Sequence, residues 1–336
     1  MTVRGLRYVP YQDLAGSPNV IVDGAATDGT ILSLSHWPHV PIPSGLGADL
    51  SAEMAIAYLG RFDRHGPAEL VSNNHFDQDG LMSVFALAAP DAALARRDLL
   101  LDVAAAGDFG TYRLREAARI SMVIAAFVDA DRSPLDLGAH DNTAPLYEEL
   151  LGRLPELLDH PARYEDLWAD EDATLTSSEK LVHSGAVRIE EDPELDLAVV
   201  HLPEDASDAG GHRFGGMWIK GLHPMALNNA TGCYALLCAR GRQYDFSYRY
   251  ESWVQFQTRR PRPRVDLRPL AAELSAEEPG DARWIFDGAG ALNPRLHLAG
   301  ADESCLPLPE FRSRLETHLR ALPPAWDPYA SPSVER

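Results

Sequence analysis

Hydrophobic positions along this chain follow two rhythms. Short apolar runs closed by turn-forming residues predict strands at 19–22, 30–35, 70–71, 186–190, 195–202, 234–239, 244–250, 253–258 and 284–286. Apolar residues recurring every three or four positions predict helices over 49–61, from Gly80 to Pro90, onward from Pro90, over 111–129, from about 143, over 265–274 and over 307–322. The polar, acidic stretch 159–184 has helical propensity but few apolar anchors, and reads as a solvated helical excursion. Strands alternating with helices predict an α/β protein with a central, largely parallel sheet flanked by helices, followed by a smaller mixed α/β lobe. A glycine- and base-rich passage, Gly210-Gly211-His212-Arg213-Phe214-Gly215-Gly216, puts the boundary there. The expected division is a domain over 1–209, a connection over 210–230, a small lobe over 231–322 and a disordered Pro-rich tail over 323–336.

Composition narrows the class. At 336 residues, 45% hydrophobic and 24% charged, the chain is long enough to bury the cores of two domains. No apolar run approaches the roughly 20 residues of a membrane span, and the N-terminus lacks a signal-peptide core, so a cytoplasmic protein with no membrane role is expected. Three cysteines, Cys233, Cys238 and Cys305, are too few and too scattered for a disulfide framework or a structural zinc site. A net charge of −20 makes extended nucleic-acid binding unfavourable, although a local cationic cluster can still hold a small anion.

The densest chemistry follows the strand at 70–71, in the stretch Ser72-Asn73-Asn74-His75-Phe76-Asp77-Gln78-Asp79-Gly80. Alternate residues of an extended loop point the same way, so His75, Asp77 and Asp79 can converge on one point. Imidazole and carboxylate together offer the mixed nitrogen and oxygen donors that suit manganese, iron or zinc. Gly80 is expected to let the chain turn sharply into the helix. An EF-hand does not fit, because counting from Asp77 puts Met82 where that loop needs glycine and Ala88 where it needs a bidentate glutamate. The Asp-x-Asp-Gly of haloacid dehalogenase phosphatases sits directly at a strand end, whereas here four residues intervene.

His-x-Asp-x-Asp-Gly between a strand and a helix resembles the first motif of the DHH phosphoesterase superfamily. The resemblance implies a two-manganese site, or one of another divalent transition metal, that hydrolyses a small phosphate ester or anhydride such as a nucleotide or oligonucleotide. It implies metal ligands at His75, Asp77 and Asp79. It also implies a lone later aspartate, for which Asp108, held between Gly107 and Gly110, is the choice and Asp102 the reserve. A fourth carboxylate would be Asp196 or Asp205. The family's Asp-His-His triplet is absent, and His140-Asp141 is the nearest substitute. The Gly-Gly-Gly-His run of the family's small domain is replaced by Gly288-Ala289-Gly290.

Around this core, His140 or an arginine, with Arg249 the choice, is expected to steady phosphoryl charge. Asn74, Lys220, His223 and Arg262 are the expected substrate contacts, Arg262 because four arginines fall within 259–264 and guanidinium forks suit phosphate. Two histidines beside Trp37, His36 and His39, could be ligands, substrate contacts or merely solvated loop residues. The alternatives to a phosphoesterase are an inactive relative that binds a nucleotide or protein, and a metal hydrolase of a non-phosphate substrate. A homodimer is compatible with the sequence.

Overall fold

The computed structural model describes residues 4–61, 66–137, 142–204 and 221–330. It is α/β, and by contact it divides into two compact units. The first comprises residues 1–173 together with Phe256–Thr258; the second comprises 174–255 and 259–336.

The first unit contains strands β1 (Arg7–Tyr8), β2 (Asn19–Val22) and β3 (Thr30–Leu34), helix α1 (Ser51–Arg61), strand β4 (Leu70–Ser72), and helices α2 (Gln78–Ala88), α3 (Pro90–Ala95), α4 (Arg97–Asp108), α5 (Arg115–Val128) and α6 (Thr143–Asp159). Its four strands lie in the order β1-β4-β2-β3, every pair parallel. All four residues of β2 are buried, as expected of an inner strand of a covered parallel sheet. Helix α5 buries every residue from Ala117 to Phe127 except Arg119. Because the strands are parallel, their C-terminal ends share one edge, and the loops leaving β2, β3 and β4 open there together.

Helix α7 (Glu165–His183) carries the division between the units. The second unit then follows with β5 (Arg188–Asp192), β6 (Leu197–His201), α8 (Pro224–Asn228), β7 (Ala235–Arg240), β8 (Gln243–Tyr248), β9 (Arg264–Val265), α9 (Arg268–Ser275), β10 (Arg283–Phe286), β11 (Arg295–Ala299), α10 (Leu308–Ala321) and β12 (Pro324–Trp326). Its sheet runs β10-β11-β8-β7-β6-β5 and is antiparallel except for the β6–β7 pair. Leu237, Phe246, Leu296, Leu270 and Phe311 form its core between the sheet and helices α9 and α10.

Several expectations change. Strands β5 and β6 precede residue 210, yet they are hydrogen-bonded into the second sheet through β7, so the unit boundary falls earlier, within α7. Residues 253–258 form no strand; a short 3-10 turn at Tyr250–Ser252 leads away from the sheet. The tail is structured as far as Ala330, with Pro324–Trp326 paired to β9, and only 331–336 lie outside the described residues. Among the described residues no helix is long and apolar enough to cross a membrane.

Candidate metal centre

The parallel edge of the first sheet gathers five ionisable side chains, and Asp108 joins them from the end of α4. Asp23 follows β2, His36 follows β3, and His75, Asp77 and Asp79 follow β4. Two groups of three offer ligand atoms all within 4.8 Å of one another: Asp23, His36 and Asp79, and Asp23, His75 and Asp77. Asp23 belongs to both. Its Oδ1 lies 3.3 Å from His36 Nε2, and its Oδ2 lies 3.3 Å from His75 Nε2. His75 Nε2 also meets Asp77 Oδ2 at 2.7 Å. His36 Nε2 is 3.9 Å from Asp79 Oδ2 and 3.5 Å from Asp108 Oδ2.

Local structure explains why these atoms face inward. Asp23 stands just past β2 with φ at 45°, in the left-handed region where Asp is among the few side chains tolerated. Gly24 must be glycine because a Cβ there would lie 2.2 Å from Asn74 Oδ1, which accepts the Ala25 N–H at 3.1 Å. Asn74 therefore ties the β2 loop to the β4 loop. Asn73 Oδ1 accepts the His75 N–H at 3.0 Å, which sets the loop that presents the imidazole.

Asp77 is the N-cap of α2, its Oδ1 accepting from Gly80 N–H at 2.8 Å while Oδ2 faces His75. Gly80 is thus inside the first helical turn and not the hinge expected of it. Its value is room: a Cβ there would lie 2.3 Å from Asn73 Nδ2 and 2.6 Å from the Tyr147 hydroxyl. Asp79 is fully buried, and its two oxygens accept the Ser51 and Ala52 N–H groups at 2.7 and 2.8 Å, so it binds the open N-terminus of α1. Ser51 completes this knot by donating its hydroxyl to Asp23 at 2.8 Å.

His36 is oriented from behind. Its Nδ1 is 2.6 Å from the Asp49 carbonyl oxygen. A carbonyl only accepts, so Nδ1 holds a proton and Nε2 is presented to the carboxylates, the arrangement common to metal-ligating histidines.

The charges in this cluster shift one another strongly. Burial disfavours a charged His36, but the hydrogen bond and charge of Asp23, with the charge of Asp79, prevail and raise it to about 9. Burial likewise opposes a charged His75, and Asp77 and Asp23 overcome it, raising the imidazole to about 11. Burial would raise Asp23, yet both imidazoles hold it far below the ordinary carboxylate range. Asp79 goes the other way, to about 8, because burial and the nearby Asp23 charge both favour its neutral form. Protons on His36 and His75 here do the charge-balancing that a cation could do.

The expected residues distribute unevenly. His75 and Asp77 share one group with Asp23, whereas Asp79 falls in the other group with Asp23 and His36, and Asp108, at the end of α4, lies beside the same imidazole as Asp79. Asp102 instead accepts the Arg113 and Leu114 N–H groups ahead of α5. Asp196 lies in the second unit, where it accepts the Tyr234 N–H and pairs with Arg259. Arg249 is buried there too, donating to the Thr231 carbonyl at 3.0 Å and paired with Glu251. His223 caps α8, accepting the Met225 N–H, and Arg262 is exposed and bonded to the Glu194 carbonyl. His140, Lys220 and Asp205 lie outside the described residues.

Sequence reasoning passed over Asp23 as a turn residue and left His36 undecided. The available signal was positional, since both directly follow predicted strands, as the motif does.

A family model matches residues 4–330, nearly the whole chain. The chain belongs to the DUF6687 family. DUF6687 is a family of unknown function, so membership carries no activity with it. No curated protein and no solved structure matches this DUF6687 chain.

Proposed function

We propose that this chain is a metal-dependent phosphoric ester hydrolase, with manganese or another divalent transition metal, acting on a small phosphate ester or anhydride. The single observation that supports it best is the shared Asp23, whose two oxygens serve two separate His–Asp groups. One carboxylate flanked on each side by an imidazole and a second carboxylate is a donor set suited to two neighbouring divalent ions. His36 and Asp79 would complete one position, His75 and Asp77 the other, with Asp108 beside His36.

The donors fit the group in chemistry as well as number. They are two imidazoles and at least three carboxylates, the mixed set that such ions prefer. Bound divalent ions supply an acidified water at neutral pH and neutralise charge on phosphoryl oxygens. The chain's own part is to hold Asp23 through Ser51, to aim His36 through Asp49, and to keep Asp79 fixed to the N-terminus of α1. The step from metal to phosphate rests on the resemblance of His75-x-Asp77-x-Asp79-Gly80 to the DHH first motif. Arg249 receives no catalytic role, because its guanidinium is spent on backbone carbonyls and Glu251.

The test is turnover by the manganese-loaded chain of a panel of phosphomonoesters, phosphodiesters and phosphoanhydrides, including bis-p-nitrophenyl phosphate and short oligonucleotides. Turnover that disappears in Asp23→Asn is the expected result. Metal bound at the site without turnover of any member would overturn the phosphate assignment in favour of a binding protein or a hydrolase of another substrate class.

A further inference from the structure

Residues Phe256–Thr258 belong by contact to the first unit, although the residues on either side of them belong to the second. They are fastened at two points. The Asp49 carboxylate accepts the Gln257 N–H at 2.6 Å, the Thr258 N–H at 2.8 Å and the Thr258 hydroxyl at 2.6 Å. The Phe256 ring packs edge-on against Phe109 with centroids 5.2 Å apart, and Phe109 packs on the His36 ring at 6.2 Å. Phe109 also directly follows Asp108.

Both fastenings end on the same histidine. Asp49 receives the three donors with its side chain and the His36 Nδ1 proton with its backbone carbonyl. Phe109 packs tilted against the His36 ring while Phe256 packs edge-on against Phe109. A residue that fixes the ring nitrogen opposite the ligating one governs ligand direction and basicity without touching the metal.

We propose that Asp49 is a positioning residue for His36 and that the strap Phe256–Thr258 holds Asp49 in place, so that this one ligand position depends on a segment more than 200 residues downstream in the chain. The inference rests on the two-ion reading above and adds an asymmetry to it. Of the two ligand groups, the one containing His36 depends on the strap, and the one containing His75 has its own loop anchors, Asn73 and the α2 cap.

The experiment is a manganese titration of the metal-free full chain, with free ion read by electron paramagnetic resonance, for the wild type, Asp49→Asn, Asp49→Ala and Thr258→Val. In Asp49→Asn one amide oxygen can accept both backbone N–H groups and the amide nitrogen can donate to Thr258, so both equivalents should stay within about threefold of wild type. Asp49→Ala keeps the carbonyl but releases the strap, and should weaken one equivalent by roughly 10–100-fold, the usual cost of losing outer-shell support, while leaving the other unchanged. Thr258→Val removes one donor and should shift the same equivalent by a smaller factor, which keeps the test open if Asp49→Ala does not fold. Equal weakening of both equivalents, or no change in either, overturns the positioning role. A wild type that binds no manganese overturns the two-ion reading itself.

Discussion

Each unit buries a cluster of charge, and the two clusters are built on opposite plans. In the second unit Arg264 is fully buried and, among the described residues, is hydrogen-bonded to no carboxylate. Its guanidinium donates to Ser252 Oγ at 2.8 Å and to the carbonyls of Ala289, Ala291, Arg249 and Leu292 at 2.6–3.1 Å. Burial lowers it to about 9. In the first unit, by contrast, carboxylates and imidazoles face one another, and their protonation is rearranged in both directions. A charge satisfied by fixed backbone dipoles has one stable state and serves structure. Charges satisfied by other titratable groups can exchange a proton for a metal, and that exchange is a property of sites.

The largest expected effect breaks the structural cluster. Arg264→Met strands five acceptors, each worth roughly 1 kcal/mol or more when buried, and should cost about 3–5 kcal/mol by urea denaturation. Manganese affinity should not move. If Arg264→Met abolished metal binding in protein that remained folded, the contrast between the clusters would be lost.

Asp23→Asn addresses the other cluster. It should weaken both metal equivalents by more than the ~10–100-fold that outer-shell losses cost, because both groups share this carboxylate. A calorimetric titration in which one equivalent kept wild-type affinity would show that Asp23 is not common to the two.

Gly80→Ala sharpens the account of the α2 N-terminus. The added Cβ meets Asn73 and Tyr147 at 2.3 and 2.6 Å, so a loss of about 1–3 kcal/mol is expected from overpacking. Unchanged thermal stability would mean that the space beside Asp77 is slack.

The gentlest probe is pH. His36 and His75 are raised, to about 9 and about 11, so their contribution to the metal-free fold is complete below the ordinary histidine value near 6.5 and is lost as pH rises through those values. Asp79 is raised to about 8 and acts with the same sign, its burial costing more as it ionises. Stability of the metal-free chain should therefore fall between about pH 7 and 10, and saturating manganese should flatten the slope. Metal affinity should rise over the same range as protons leave these groups. A metal-free chain that gained stability over that range would contradict the assigned protonation states.

What could be read from the sequence was whatever is encoded locally. The His75 to Gly80 motif, the strand before it and the helix after it are contiguous, so spacing alone placed three of the cluster's side chains at this sheet edge, although Asp79 joins His36 and not His75. Asp23 and His36 were hard to read because the parallel pairing of β2 with β4, and of β3 with β2, is what brings them in, and pairing is not a local property. At 253–258 alternating aromatics imitated a strand, whereas the rings pack elsewhere: Trp253 stacks on Trp326 and Phe256 meets Phe109 edge-on. Strand β11 was overlooked because Arg295 and His297 break the apolar run, although their alternation with Leu296 and Leu298 is what a half-covered strand requires.

The three-residue strap has a consequence for modularity. Two units joined by a single linker can be cut apart, duplicated or recombined as separate pieces of a gene. Here the polypeptide passes from one unit to the other three times, after Ala173, after Gln255 and after Thr258. A fragment ending at Ala173 would lack the donors that occupy the Asp49 carboxylate and the ring that covers Phe109. The two units are therefore expected to be inherited together, as one piece that recombination cannot divide without loss.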